Sequence, residues 1–205
     1  MLFFLYCSGY GPSDRSSPMS KSARKTYTAY HEAGHAVIGR VLGLVCGSVT
    51  IVPDAVGFGC ATTKSPLATL DVWDARGRCR LNGRDLTSVY RAYIMELMAG
   101  REAAELCCGP GGDFIGDGND IQQIDTLIHL TYDLDLERWP SLPVGDFNLD
   151  RLRKATRGLC IRHREKIERV ARALLKHCTL SPEAIDTLMR EPPMSKGKRK
   201  TDYRM

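Results

Sequence analysis

Between Ser20 and Leu44, the apolar or small positions Tyr27, Tyr30, Gly34, Val37, Val41 and Leu44 recur every three or four residues, the period of one buried face of an α-helix. Ser20, Ser22 and Thr26 are the capping residues available at its start, and Gly43 is the stop signal near its end. A glycine inside a helix costs about 1 kcal/mol relative to alanine, so Gly34 implies that another element packs close to the backbone there. The pattern then changes. Ser48-Val49-Thr50-Ile51-Val52 is a β-branched run stopped by Pro53-Asp54, and a second run, Gly57 to Thr63, follows at hairpin distance. Residues 64–84 show no sustained period and read as a loop with one helical turn. A second helix is predicted from Asp85 or Thr87 to about Cys107, with Val89, Ala92, Leu97, Ala99 or Gly100, Ala103 and Leu106 inward. Gly109 ends it.

A glycine-rich loop, Gly109 to Gly118, leads to a third helix at Asn119-Asp120, whose Ile121, Ile124, Leu127, Ile128 and Leu134 mark its buried side, and Trp139, Pro140 and Pro143 close that segment. A long fourth helix from Asn148 or Asp150 to Cys178 repeats Leu152, Leu159, Ile167, Val170 and Leu174, with basic residues on its other face. Ser181-Pro182 supplies an N-cap and an N1 proline for a last short helix through Leu188 and Met189. The fold class expected is α+β, mainly α, with a small β-hairpin or sheet beside the first helix.

Composition adds boundaries rather than elements. The 205 residues, 43% hydrophobic and 26% charged, suit one globular domain. The Ser, Gly and Pro-rich start makes residues 1–20 a flexible lead-in, 21–191 the domain and 192–205 a basic tail. Much of the net charge of +5 sits in that tail, in Lys196, Lys198, Arg199, Lys200 and Arg204. Such a tail is by default solvated, and no clear nucleic-acid or membrane partner follows from it. The eight cysteines contain no CxxC pair and follow no secretory signal, so free thiols in a reducing, cytoplasmic compartment are expected. Leu2 to Tyr6 is apolar over far fewer residues than the roughly twenty of a membrane span. No GxxxxGK[ST] phosphate loop occurs.

The chemistry concentrates in His31-Glu32-Ala33-Gly34-His35. On a helix, residues four apart fall on one face about 6 Å apart along the axis, so both imidazoles reach one ion. Zn²⁺ takes neutral imidazole nitrogens at about 2.0–2.1 Å and keeps one position open in catalytic sites. Glu32, next to the first histidine, is placed where a general base is needed. The alternative, two surface histidines around a solvated glutamate, leaves the apolar flanks and Gly34 unexplained.

Two imidazoles are too few for catalytic zinc, and the third ligand is not next door: Ile38 and Val41 stand where an elongated HExxHxxGxxH pattern needs glycine and histidine. Glu96, Glu102, Glu105, Asp113, Asp117, Asp120 and His129 are the candidates, and composition does not rank them. Asp120 lies at a helix start below the glycine-rich loop, a place equally suited to an acid that caps the helix or answers its dipole.

The chain resembles the proteolytic domain of FtsH-type ATP-dependent zinc metalloproteases from about Thr28 to Met189. The likeness rests on five blocks in order: Ala29 through Ala36; Val49-Thr50-Ile51-Val52-Pro53 with Gly57-Phe58-Gly59; Glu96 through Leu106; Gly116 through Ile121; and Leu180-Ser181 through Met189. It implies a zincin-like helical peptidase domain in which Asp120 is the third zinc ligand beside His31 and His35, and Glu32 is the general base. It also implies that the region around Gly57–Thr63 holds substrate as an added strand. Two departures are Ala99-Gly100-Arg101 where the family usually has Gly-Gly-Arg, and Ala104 where it commonly has an acid.

The function expected is that of a zinc metalloendopeptidase acting on unfolded polypeptides or peptides. Family members carry membrane spans and an ATPase module ahead of this domain, so the resemblance further implies a separate ATPase as partner and a homo-oligomer, a hexamer. The reading from another class is a non-catalytic, metal-stabilised adaptor or regulatory module that binds unfolded segments or such an ATPase.

Overall fold

The first helix, α1 (Lys21–Val41), begins where Ser20 takes an extended conformation and its hydroxyl accepts the Ala23 N–H at 3.2 Å, satisfying a donor the helix leaves open. It stops at Gly43, which adopts φ +75°. The Gly43 and Leu44 amides then bond back to the Arg40 and Gly39 carbonyls at 3.0 and 2.9 Å, the paired closure that a left-handed residue makes possible. The remaining elements of this computed structural model are β1 (Cys46–Thr50), β2 (Cys60–Thr63), β3 (Arg80–Leu81), β4 (Arg84–Asp85), α2 (Leu86–Cys108), α3 (Gly118–Asp133), α4 (Leu149–Arg162), α5 (Arg164–His177), β5 (Thr179–Leu180) and α6 (Pro182–Arg190). The structure describes residues 19–53, 59–64, 80–81, 84–110, 118–133 and 148–192.

The described residues are mainly helical, with a small three-stranded antiparallel sheet in the order β2-β1-β5 and a short β3-β4 pair. In the sheet Val49 pairs with Ala61 on one side and with Leu180 on the other. Val49 and Ile51 reach the core, which they share with Val37 and Ile38 of α1 and Ile167, Val170 and Leu174 of α5. A second cluster gathers Tyr90, Tyr93, Ile94 and Leu97 of α2 around Leu127 of α3.

α1 is central. It packs on α2 and on α5, while α4 packs on α2. At the α1–α2 crossing a Cβ on Gly34 would run into the Ala99 carbonyl oxygen and lie 2.7 Å from the Ala103 Cβ. That close approach is what the mid-helix glycine foretold. Arg40 ties the far end of α1 to its surroundings: its Nε donates to Asp186 of α6 at 2.7 Å, and its terminal nitrogens reach the Ala36, Cys46 and Gly47 carbonyls.

Three expectations need correction. The single helix expected from about 148 to Cys178 is two, separated at His163, which takes φ −106° and ψ 17°. The two halves serve different neighbours: α4 packs on α2 and α5 packs on α1. Ile121, expected on the buried side of the third helix, is 56% exposed, whereas Leu127 on the same helix is buried. β1 ends at Thr50, leaving Val52 outside the strand and half-exposed. β5, only two residues long, was not expected.

Several expected features lie outside the described residues. These are most of the lead-in (1–18), Asp54 and Gly57-Phe58 of the hairpin, most of the 64–84 stretch, residues 111–117 of the glycine-rich loop, Leu134, Trp139, Pro140 and Pro143, and the basic tail from 193 onward. No helix among the described residues is long and apolar enough to cross a membrane.

Candidate metal centre

His31 and His35 occupy successive turns of α1 and are both buried, with ring centroids 4.7 Å apart and planes at 75°. Their Nε2 atoms face one another at 3.0 Å. Asp120, in the first turn of α3, brings Oδ2 to 3.1 Å from the His31 Nε2 and 3.3 Å from the His35 Nε2. Ligand atoms about 2.0–2.1 Å from a tetrahedral zinc lie about 3.3–3.4 Å from one another. The triangle here falls a few tenths of an ångström short, so two nitrogens and one oxygen converge at a spacing that fits such an ion. Among the described residues they form the group of His, Cys, Asp and Glu side chains suited to hold a metal.

The neighbouring helix leaves room for this convergence. A Cβ on Gly100 of α2 would run into the His35 Nε2 and lie 2.7 Å from the His31 Nε2. Glycine is therefore the residue that lets the α2 backbone come alongside the two imidazole Nε2 atoms. The His35 Nδ1–H donates to the backbone carbonyl of Glu96 at 2.8 Å, which fixes the tautomer with the Nε2 lone pair turned into the triangle.

The electrostatics call for a positive charge at the same point. Burial pulls the His35 pKa down, but Asp120, through charge and hydrogen bond, together with Glu96 and Glu32, outweighs it and carries the value up to about 10. Burial pushes the Asp120 carboxyl up, and His35 and His31 more than reverse this, holding it well below the usual carboxylate range. A proton shared among these atoms and a divalent cation answer the same field.

Glu32 is buried beside the triangle but stands apart from it. Its carboxylate accepts the backbone N–H of Ala61 in β2, and burial raises its pKa against the opposing pull of His35 and His31. A Cβ on Gly59 would lie 2.8 Å from the Glu32 Oε1 and 2.9 Å from the Thr28 Cγ2. The approach of β2 to the acid thus depends on that glycine. A cavity of about 350 Å³ opens next to Asp120, walled mainly by Leu97, Met98, Ile121, Ile124 and Leu149.

Of the other acids and the histidine raised as ligands, Glu102, Glu105 and His129 are engaged elsewhere. Glu102 is held by Arg153 and Arg157 at 2.8 and 3.0 Å, Glu105 by Arg101 at 2.7 Å, and His129 lies 3.5 Å from Asp125 on an exposed surface. Asp113 and Asp117 lie outside the described residues. Glu96 sits behind His35, its Oε1 3.6 Å from the Nδ1 and accepting the Thr63 hydroxyl at 3.0 Å; burial, opposed by His35 and Thr63, pushes its carboxyl up to about 7. The roles of Gly100 and Glu96 around the histidines were not foreseen. The only signal was their spacing of four on α2, which matches the spacing of His31 and His35 on α1.

No family model matches the chain. Curated relatives do match, among them these two. Over 128 residues, 62% of this chain and 20% of the relative, it is 31% identical to an ATP-dependent zinc metalloprotease FtsH of Lachnoclostridium phytofermentans. Over 215 aligned residues, 87% of this chain and 31% of the relative, it is 28% identical to ATP-dependent zinc metalloprotease FtsH 4 of Sorangium cellulosum. The chain thus has distant, partial similarity to FtsH proteins and spans less than a third of their length.

Proposed function

We propose that this chain is a zincin-like metalloendopeptidase domain that hydrolyses peptide bonds of unfolded polypeptides. The observation that carries this reading is the triangle of the His31 Nε2, His35 Nε2 and Asp120 Oδ2 with the buried Glu32 carboxylate beside it. The distant likeness to zinc metalloproteases supports the same choice of metal. His31, His35 and Asp120 would hold Zn²⁺, which when bound would supply a water acidified to a pKa of about 7 and a Lewis acid for the scissile carbonyl.

Glu32, buried beside the triangle, is placed to accept a proton there as general base and to pass it to the departing amine as the C–N bond breaks. Its raised pKa suits both halves of the transfer. β2, at the edge of the three-stranded sheet, offers a rail along which an extended chain adds by main-chain pairing. The apolar-walled cavity beside Asp120 takes a substrate side chain near the scissile bond. Such a site admits extended chain, so an ATPase acting as unfoldase and a hexameric assembly belong to the proposal as partners. A non-catalytic adaptor gives no reason to bury an acid next to two imidazoles, where desolvation is costly.

The test is zinc-dependent, chelator-sensitive hydrolysis of a casein-like unfolded substrate without ATP. Glu32→Gln is expected to keep its zinc and lose at least about 100-fold in turnover; undiminished cleavage by this variant refutes the assigned base. Asp120→Ala is expected to leave the purified protein short of zinc by elemental analysis, and an unchanged metal-to-protein ratio moves the third ligand elsewhere.

A further inference from the structure

Two helices meet at the metal centre with matching intervals. α1 carries His31, His35 and Gly39 four residues apart, and α2 carries Glu96 and Gly100 at the same interval. Gly100 faces both imidazoles, while Glu96 spans from His35 to Gly39, where a Cβ would lie 3.1 Å from the Glu96 Cγ and 2.6 Å from the Cys46 Sγ. Glu96 is thus seated flat on α1, one turn beyond the second histidine, in a place that only glycine at position 39 leaves open.

The partners of this carboxylate are unusual for a buried acid. Oε1 accepts the Thr63 hydroxyl at 3.0 Å and lies 3.6 Å from the His35 Nδ1, whose proton already goes to Glu96's own backbone carbonyl. Oε2 is buried and has no hydrogen-bond partner among the described residues. The carboxylate's ion-pair partner among the described residues is the imidazole of His35, which lies 3.6 Å from Oε1. A carboxylate without a matching cation is disfavoured in an interior. One aimed at the back of a metal-binding imidazole strengthens that nitrogen's grip on an ion, because charge acts strongly across a few ångströms of dry protein.

The same carboxylate touches the strand. Ala61 and Thr63 are two apart on β2 and so point to one face. The Ala61 amide holds Glu32, and the Thr63 hydroxyl holds Glu96. We propose that Glu96 is a positioning residue that backs His35 against the metal and, through Thr63, keeps the β2 edge in register with Glu32 and the ligand triangle. This rests on the reading that His31, His35 and Asp120 hold the ion.

The two duties separate by mutation. Zinc affinity is measured on the full chain by competition with a chromophoric chelator, with the visible spectrum of the Co²⁺ form as a record of ligand geometry, and KM for an unfolded substrate is measured in parallel. Glu96→Gln, which keeps the acceptor for Thr63 and loses the charge, is expected to bind zinc about tenfold more weakly with KM little changed. Thr63→Val is expected to do the reverse, raising KM several-fold with zinc affinity within twofold. Glu96→Asp, which keeps the charge but not the reach to Thr63, is expected to recover most of the zinc affinity and to show the raised KM.

A purely structural Glu96 lowers the melting temperature and leaves these constants together. Equal zinc affinity in wild type and Glu96→Gln overturns the proposal, as does a Thr63→Val protein with unchanged KM. A wild-type protein that binds no zinc fells the metal-site reading itself, and is told apart by being seen before any variant is made.

Discussion

α2 buries two glutamates six residues apart, and they are treated in opposite ways. Glu102 is clasped by Arg153 and Arg157 at 2.8 and 3.0 Å, so its charge is met in full by two guanidiniums from α4. Glu96, equally buried, is given one hydroxyl and the edge of one imidazole. The first acid joins two helices. The second goes without such pairing beside the candidate metal ligands, which is the pattern expected of a functional site rather than of a scaffold.

That contrast is open to direct attack, and the largest effect is expected from the residue between the two acids. Gly100→Ala puts a methyl group against both Nε2 atoms, so zinc binding should weaken by about 100-fold. Helix propensity favours the alanine by about 1 kcal/mol, so the metal-free protein should melt no lower than wild type by much more than the strain at the rings. Zinc affinity close to wild type in this variant would show that α2 does not confine the ion.

A smaller effect is expected at Glu102. Removing one partner of a buried pair costs about 3–5 kcal/mol, but both arginines are about half-exposed. Glu102→Gln should therefore cost about 1–2 kcal/mol in chemical denaturation, with zinc affinity untouched. The smallest belongs to Glu96→Gln, which should leave the stability of the metal-free protein within about 0.5 kcal/mol of wild type or raise it, since it replaces an incompletely partnered carboxyl that burial already drives toward its neutral form. If Glu96→Gln proves as destabilising as Glu102→Gln, the two acids do the same work and the contrast fails.

How far the sequence led can be seen element by element. α1 and α6 were legible from end to end because local signals agree. Ser20 and Ser181 cap the starts, Pro182 occupies the first turn of α6 and Gly43 closes α1. The break at His163 was not legible, because the apolar period of Leu152, Leu159, Ile167, Val170 and Leu174 runs through it unbroken. The two halves cover different neighbours, α2 and α1. β5 was too short for any period to register, and it exists because Val49 and Thr50 offer it a pairing edge.

The site divides along the same line. The two histidines and Glu32 were readable because their relation is local, fixed by the pitch of one helix. Asp120 comes from a helix far along the chain, and the residues alone left it among seven candidates; family resemblance singled it out, and the fold brings it to the histidines. The fit of Gly100 and Glu96 against His31, His35 and Gly39 depends on how two helices lie across each other, and no single segment encodes that.

Arg40 extends the reach of this centre in a direction the chemistry does not suggest. It hangs from the closing turn of the helix that bears the histidines and grasps Asp186, 146 positions downstream, while holding two carbonyls of β1. A premature stop ahead of Asp186 would remove that clasp, so loss of the last helix would be felt at the far end of the helix that carries the imidazoles.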